Sequence, residues 1–236
     1  MTTFVLVHGA WHGAWCWRDV EAQLRAAGHD VLAPCLTGVG ERAHLAAPSV
    51  GLETHVGDVL GLFERNELAD VVLVGHSYGG MVITGAADRI PGSIRTLVYL
   101  DAFIPRDGQA LLSLQAEQAR AATVLDAIAN GDGWRVSPRA PEYFGVRDPA
   151  HIERIKRHCT AQPLLTFMQP VREQGNWRNI ARKVYIRAKG HPTPVFAPFG
   201  DMARDAGDWD YHEVACGHEV MIEAPDELAA LLLKLA

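Results

Sequence analysis

The segment Gly75-His76-Ser77-Tyr78-Gly79-Gly80 carries the most specific chemical signal in the chain. It fits G-x-S-x-G and stands between an apolar run at 71–74 and a helical pattern at 78–89. That context is what a nucleophile elbow requires: a strained turn lifts a serine hydroxyl above the sheet. The residues two before and two after the serine must then be small, because strand and helix backbones crowd there, and Gly75 and Gly79 meet the need. A hydroxyl is a weak nucleophile until a base takes its proton. Of eleven histidines, His218 has the right place in chain order for that base. It lies in Cys216-Gly217-His218, after the last predicted strand and before the last predicted helix. His8-Gly9-Ala10-Trp11 follows the first predicted strand, where a loop can aim a backbone N–H at a developing oxyanion. The amides of Ala10 and of Tyr78, the residue after the nucleophile, are the candidate donors. His8 and His12 also have a spacing that suits metal ligation, but no carboxylate or cysteine is grouped with them, so no metal is expected.

These groups need a frame to hold them. Apolar runs at 4–7, 31–33, 71–74 and 96–100 alternate with helical patterns at 17–27, 52–66 and 78–89. Strand–helix alternation with strands apolar throughout predicts an α/β fold: a mostly parallel sheet covered by helices on both faces. From 105 to 182 the rhythm changes to helical patterns at 110–130 and 150–159, with Pro, Gly and aromatic residues between them and no clear strand. We read this stretch as a helical cap inserted into a core formed by 1–104 and 183–236. Strand character returns at 183–188 and 211–215, and an amphipathic helix closes the chain at 225–235. Trp11, Trp134, Phe144 and Phe167 are the expected pocket wall, with Tyr143 and Trp209 nearby in the same aromatic set.

Composition limits the partners. The 236 residues are 48% hydrophobic and 21% charged, with a formal net charge of −6, which is globular composition and no electrostatic footprint for nucleic acid. No apolar run reaches membrane-spanning length. Met1-Thr2-Thr3 leads into a strand without a basic or apolar leader, and the four cysteines are dispersed without a CxxC pair. Reduced thiols and a cytoplasmic location are the expectation. Assembly state is open, a homodimer included.

The motifs together resemble the hydroxynitrile lyase and plant methylesterase branch of the α/β-hydrolases, with its small bacterial esterase relatives. The resemblance rests on Phe4-Val5-Leu6-Val7-His8-Gly9-Ala10-Trp11-His12-Gly13-Ala14-Trp15, the elbow, Tyr99-Leu100-Asp101-Ala102-Phe103-Ile104-Pro105, and Gly217-His218. It implies the α/β-hydrolase fold, here an eight-strand-type sheet lacking its first hairpin, with a small helical cap. It also implies no cofactor, and cleavage of small-molecule esters or, in the lyase members, of cyanohydrins. Three departures stand out. One lyase group has lysine after the catalytic histidine, where this chain has Glu219, and another has asparagine at the place of Gly9. In the plant relatives the triad acid follows the strand equivalent to 183–188, where this chain reads Lys189-Gly190-His191-Pro192-Thr193-Pro194 with no carboxylate.

A histidine base needs a partner that fixes its tautomer and stabilises the imidazolium. Asp101 ends a predicted strand, at the sheet edge where active sites collect, and keeps the order Ser77, Asp101, His218. Certain dehalogenases resemble this arrangement. Asp201 competes from beyond the later strand, and a water or no acid at all completes the alternatives. The expected activity is carboxylic-ester hydrolysis by Ser77, His218 and Asp101. The rivals are a lyase using the same residues and a ligand-binding homologue without turnover.

Overall fold

The computed structural model describes residues 1–190 and 194–236. Six strands form one sheet: β1 (Thr3–Val7), β2 (Asp30–Leu32), β3 (Val71–His76), β4 (Ile94–Leu100), β5 (Arg182–Ala188) and β6 (Trp209–Val214). Their order is β2-β1-β3-β4-β5-β6, and every pairing is parallel. This is the α/β-hydrolase architecture, with the strand count of an eight-strand sheet that lacks its first hairpin. Successive side chains of a strand point to opposite faces. Phe4, Val5, Leu6 and Val7 are all 0% exposed, so both faces at β1 are covered. The cover comes from α1 (Arg18–Ala26), α2 (Leu52–Arg65) and α3 (Gly79–Arg89), joined at the end of the chain by a helix at Pro225–Leu233 that packs on α1. None of the described helices is long and apolar enough to cross a membrane.

Between β4 and β5 the chain leaves the sheet and builds α4 (Glu117–Asn130), α5 (Pro149–His158) and the short α6 (Leu165–Met168). The predicted continuous helix over 110–130 is in fact two pieces. A 3₁₀ turn at Leu111–Leu114 ends in extended backbone at Gln115, and α4 starts at Glu117. The Ser113 hydroxyl donates to the Ala110 carbonyl at 2.6 Å, which closes that turn locally and competes with helix continuation. The predicted absence of strand here is also corrected: Arg135–Val136 pairs antiparallel with Gln162–Pro163. Two residues per strand are too few to leave an alternation in the sequence. The returning chain is anchored on α3, where the buried Asp88 carboxylate accepts from the amides of Gln174 (2.7 Å), Asn176 (2.6 Å) and Trp177 (3.3 Å). A further helix, α7 (Ala197–Asp205), precedes β6 and is not anticipated in the sequence.

Candidate active site

Ser77 sits where β3 ends and α3 begins, with φ of 55°. A non-glycine residue in this left-handed region is strained and persists only if its surroundings hold it. Here the Ser77 amide donates to the Leu100 carbonyl at 3.2 Å, and the Ser77 carbonyl accepts from the amides of Gly80 and Phe103 at 3.1 and 3.3 Å. The flanking glycines are required by space. A Cβ on Gly75 would lie 2.8 Å from the Gly79 carbonyl oxygen, and one on Gly79 would lie 2.8 Å from that of Val7.

The neighbouring strand ends converge on the serine. His218 is 1% exposed, and its Nδ1 lies 2.7 Å from Oδ2 of Asp101, itself 0% exposed. A carboxylate only accepts, so Nδ1 carries the hydrogen and Nε2 keeps its lone pair. The other Asp101 oxygen accepts from the Ala188 amide at 3.2 Å and faces the Arg187 guanidinium at 3.4 Å. Asp201 is exposed and pairs with Arg204, remote from these contacts. His191 lies outside the described residues. The His218 ring is packed between Phe196 at 4.8 Å and Phe144 at 5.2 Å, both stacked on it. Its own amide donates to the Phe144 carbonyl at 2.8 Å, so the inserted segment helps seat the base loop.

Among the described residues the Ala10 and Tyr78 amides donate to no protein acceptor. The peptides beside Ala10 are pinned. His8 accepts from the Leu36 amide through Nε2 at 3.0 Å, so its Nδ1 donates, to the Gly9 carbonyl at 2.8 Å. That carbonyl belongs to the same peptide as the Ala10 N–H, so His8 orients the candidate oxyanion donor. Both His8 nitrogens are thereby occupied. Trp11, at φ 66°, donates its amide to Oε1 of Gln162 at 2.9 Å and its indole N–H to the Val136 carbonyl at 3.1 Å. Tyr78 is fixed by its hydroxyl, which donates to His55 Nδ1 at 2.9 Å, while His55 Nε2 donates to the Thr37 carbonyl at 2.7 Å.

Above Ser77 lies a pocket of about 360 Å³ walled by Trp11, Phe103, Tyr143, Phe144, Phe167 and Phe196, with Gln115 and Arg139 as polar elements. Trp134 is not in this wall, a correction to the sequence expectation. It is half-buried beneath the Arg135 guanidinium at 4.9 Å. Trp209 packs on Tyr99 and Trp177 instead. The pocket side of a cap aromatic depends on how the inserted segment docks, which residue type does not reveal. Phe103, just past the end of β4, and Phe196, closing the turn Pro194–Phe196 before α7, are wall residues that the sequence reading did not nominate. Phe103 had a signal, two residues after Asp101; Phe196 had none. Among the described residues no group of three or more His, Cys, Asp or Glu side chains is placed to hold a metal ion.

Burial sets the electrostatics. It pushes His218 down to about 4, with His12 and Arg187 acting in the same direction and Glu219 against it, so the ring is neutral at pH 7, as a proton acceptor must be. Burial likewise pushes His55 down to about 4, and His8 and His76 down to about 3. An unfolded histidine binds its proton near pH 6.5. Below that pH the unfolded chain therefore takes up protons that these four buried rings refuse. Stability should be full above about pH 6.5 and fall as pH drops toward 4, by up to ~1.4 kcal/mol per pH unit per ring. Buried His12, whose pKa is raised by its neighbours, acts in the opposite direction, so we expect urea unfolding at pH 5.5 to show up to ~4 kcal/mol less stability than at pH 7.5. Equal urea midpoints at the two pH values would contradict this account.

The comparisons with known proteins identify the family and fold. The sequence profile of the Alpha/beta hydrolase family matches residues 4–231. The Carbendazim hydrolyzing esterase of Nocardioides sp. (strain SG-4G) is 44% identical over 245 residues, covering 100% of both chains. Methylesterase 4 of Arabidopsis thaliana is 40% identical over 260 residues, covering 99% of this chain and 95% of the other. Among solved structures, an extracellular alpha/beta-hydrolase from a Paenibacillus species superposes with a TM-score of 0.86 at 23% identity, covering 100% of this chain and 99% of that one.

Proposed function

Because the chain belongs to the alpha/beta hydrolase family, we propose that it hydrolyses small carboxylic esters through an acyl-enzyme on Ser77. The buried 2.7 Å contact between His218 and Asp101 carries this reading, because it leaves Nε2 of a neutral imidazole as the acceptor in a small cavity that Ser77 and His218 line together. His218 takes the hydroxyl proton as Ser77 attacks the ester carbonyl. Asp101 stabilises the imidazolium without itself becoming protonated. The amides of Ala10 and Tyr78 hold the oxyanion, at no reorganisation cost because their peptides are already pinned. His218 then gives its proton to the leaving alcohol, and a water activated by the same ring releases the acid. Seven aromatic residues, Tyr78 included, line this pocket and suit an apolar, flat group on the substrate. The four cysteines are free, which supports a reducing, cytoplasmic setting.

Cyanohydrin cleavage is the second reading, and one observation weighs against it. Glu219 is buried beside His218 and places a carboxylate where a lyase of the resembled group carries a cation. That position therefore supplies no cation to stabilise a leaving cyanide. A panel of aryl, methyl and lactone esters run against mandelonitrile tests the assignment. We expect turnover of esters and negligible cyanide release. Cyanide release at a rate comparable to the best ester would overturn it.

A further inference from the structure

Two buried side chains behind the elbow take no part in the proton transfers described above. His12 is 3% exposed and Glu219 1%, and Nε2 of the imidazole lies 3.3 Å from a Glu219 carboxylate oxygen. The other ring nitrogen, Nδ1, lies 2.8 Å from the Ala10 carbonyl. The carbonyl can only accept, so Nδ1 bears hydrogen, while Nε2 faces the carboxylate as an ion-pair contact without hydrogen-bond geometry, and that negative charge favours the imidazolium. Its pKa is raised accordingly: burial alone would lower it, but Cys159 and Glu219 outweigh burial. Glu219 is held low by His12 against its own burial. The Trp15 ring stacks on His12 with centroids 5.1 Å apart.

The ends of this pair are what matter. Ala10 supplies a candidate oxyanion amide, and Glu219 follows the candidate base in the chain. A buried ion pair is expensive to desolvate and is weak evidence for stability alone. We propose that His12 and Glu219 are positioning residues, a charged strut that spans from the oxyanion loop to the base loop and holds the Ala10 amide and the His218 ring in register. This inference rests on the reading of Ser77, His218 and Ala10 given above.

The strut also has an electrical consequence. His218 forms an imidazolium in each half-reaction, and several charges bear on it. Glu219 favours that cation, while His12 and Arg187 disfavour it, and Glu219 has the greatest weight of the three. Asp101 binds the far side of the ring. His76, kept neutral by burial, donates Nε2–H to the His218 carbonyl at 3.0 Å. Cys159 and Cys16 bear on the His12 end, and Glu223 lies beyond Glu219. Removing the Glu219 charge thus removes, besides Asp101, a buried carboxylate that favours protonated His218.

The test is Glu219→Gln, with turnover expressed per site titrated by a fluorophosphonate probe. We expect kcat per site to fall about tenfold with KM nearly unchanged. The acid limb of kcat/KM should move to lower pH. His12→Asn keeps an N–H toward Ala10 and withdraws the cation, so Glu219 takes up a proton and the variant should match Glu219→Gln in kcat and acid limb. If both variants keep the wild-type kcat and acid limb per titrated site, with only a lowered Tm, the pair is merely structural and the proposal is wrong. Should Glu219→Gln not fold, His12→Asn decides alone by the same readouts. Failure of the probe to label the wild type would instead overturn the reading of Ser77, so the two failures are distinguishable.

Discussion

Ser77→Ala should lower kcat on the best ester by ~10⁴-fold or more and abolish labelling by a fluorophosphonate probe. The size of the loss follows from the division of labour in the site. Without the hydroxyl no acyl-enzyme forms, and the oxyanion amides and the pocket can only assist attack by water. The substitution leaves the elbow backbone in place, since the bonds that hold Ser77 at φ 55° are main-chain bonds to Leu100, Gly80 and Phe103. A near-native Tm with lost turnover is therefore the expected combination. Labelling that persists in the variant would assign the nucleophile elsewhere.

Asp101→Asn should cut kcat by ~10²–10⁴-fold with the fold intact. An asparagine amide would present N–H to His218 Nδ1, forcing the hydrogen onto Nε2 and removing the lone pair that Ser77 needs. The backbone at Asp101 has φ 41°, a region that asparagine tolerates better than most residues, and the remaining amide oxygen can still accept from the Ala188 amide at 3.2 Å. Asp201→Asn is the control: its carboxylate is exposed and, among the described residues, pairs with Arg204, so activity should stay at the wild-type level. Near-full activity in Asp101→Asn together with an inactive Asp201→Asn would place the acid in the later loop.

Much of the frame was legible because local rules governed it. The apolar runs at 4–7 and 71–74 could only be parallel strands buried on both faces, and both became central strands with fully buried side chains. Glycines two before and two after Ser77 report a crowding confined to one turn, so the elbow could be read from six residues. Less was legible in the inserted segment. The break at Gln115 depends on a hydroxyl-to-carbonyl bond that competes with helix continuation, and the short ladder of Arg135–Val136 with Gln162–Pro163 is held by docking rather than by strand propensity.

The sequence by itself determined the elbow, the chain order of the proposed nucleophile and base, and the candidate loop at Ala10, because each depends on residues adjacent in the chain or on its place after a strand. It narrowed the base's partner to a few candidates through the missing carboxylate at 189–200. Only the tertiary structure decided which carboxylate meets His218, since that contact joins residues 117 positions apart and depends on the register of β4 against β5. The same holds for the exclusion of Trp134 from the pocket, the stacking of Phe196 on the base, and the meeting of His12 with Glu219. Side-chain identity states what a group can do in water; which partner it meets, and whether burial keeps it neutral or charged, is set by elements that the sheet and the inserted segment bring together from distant parts of the chain.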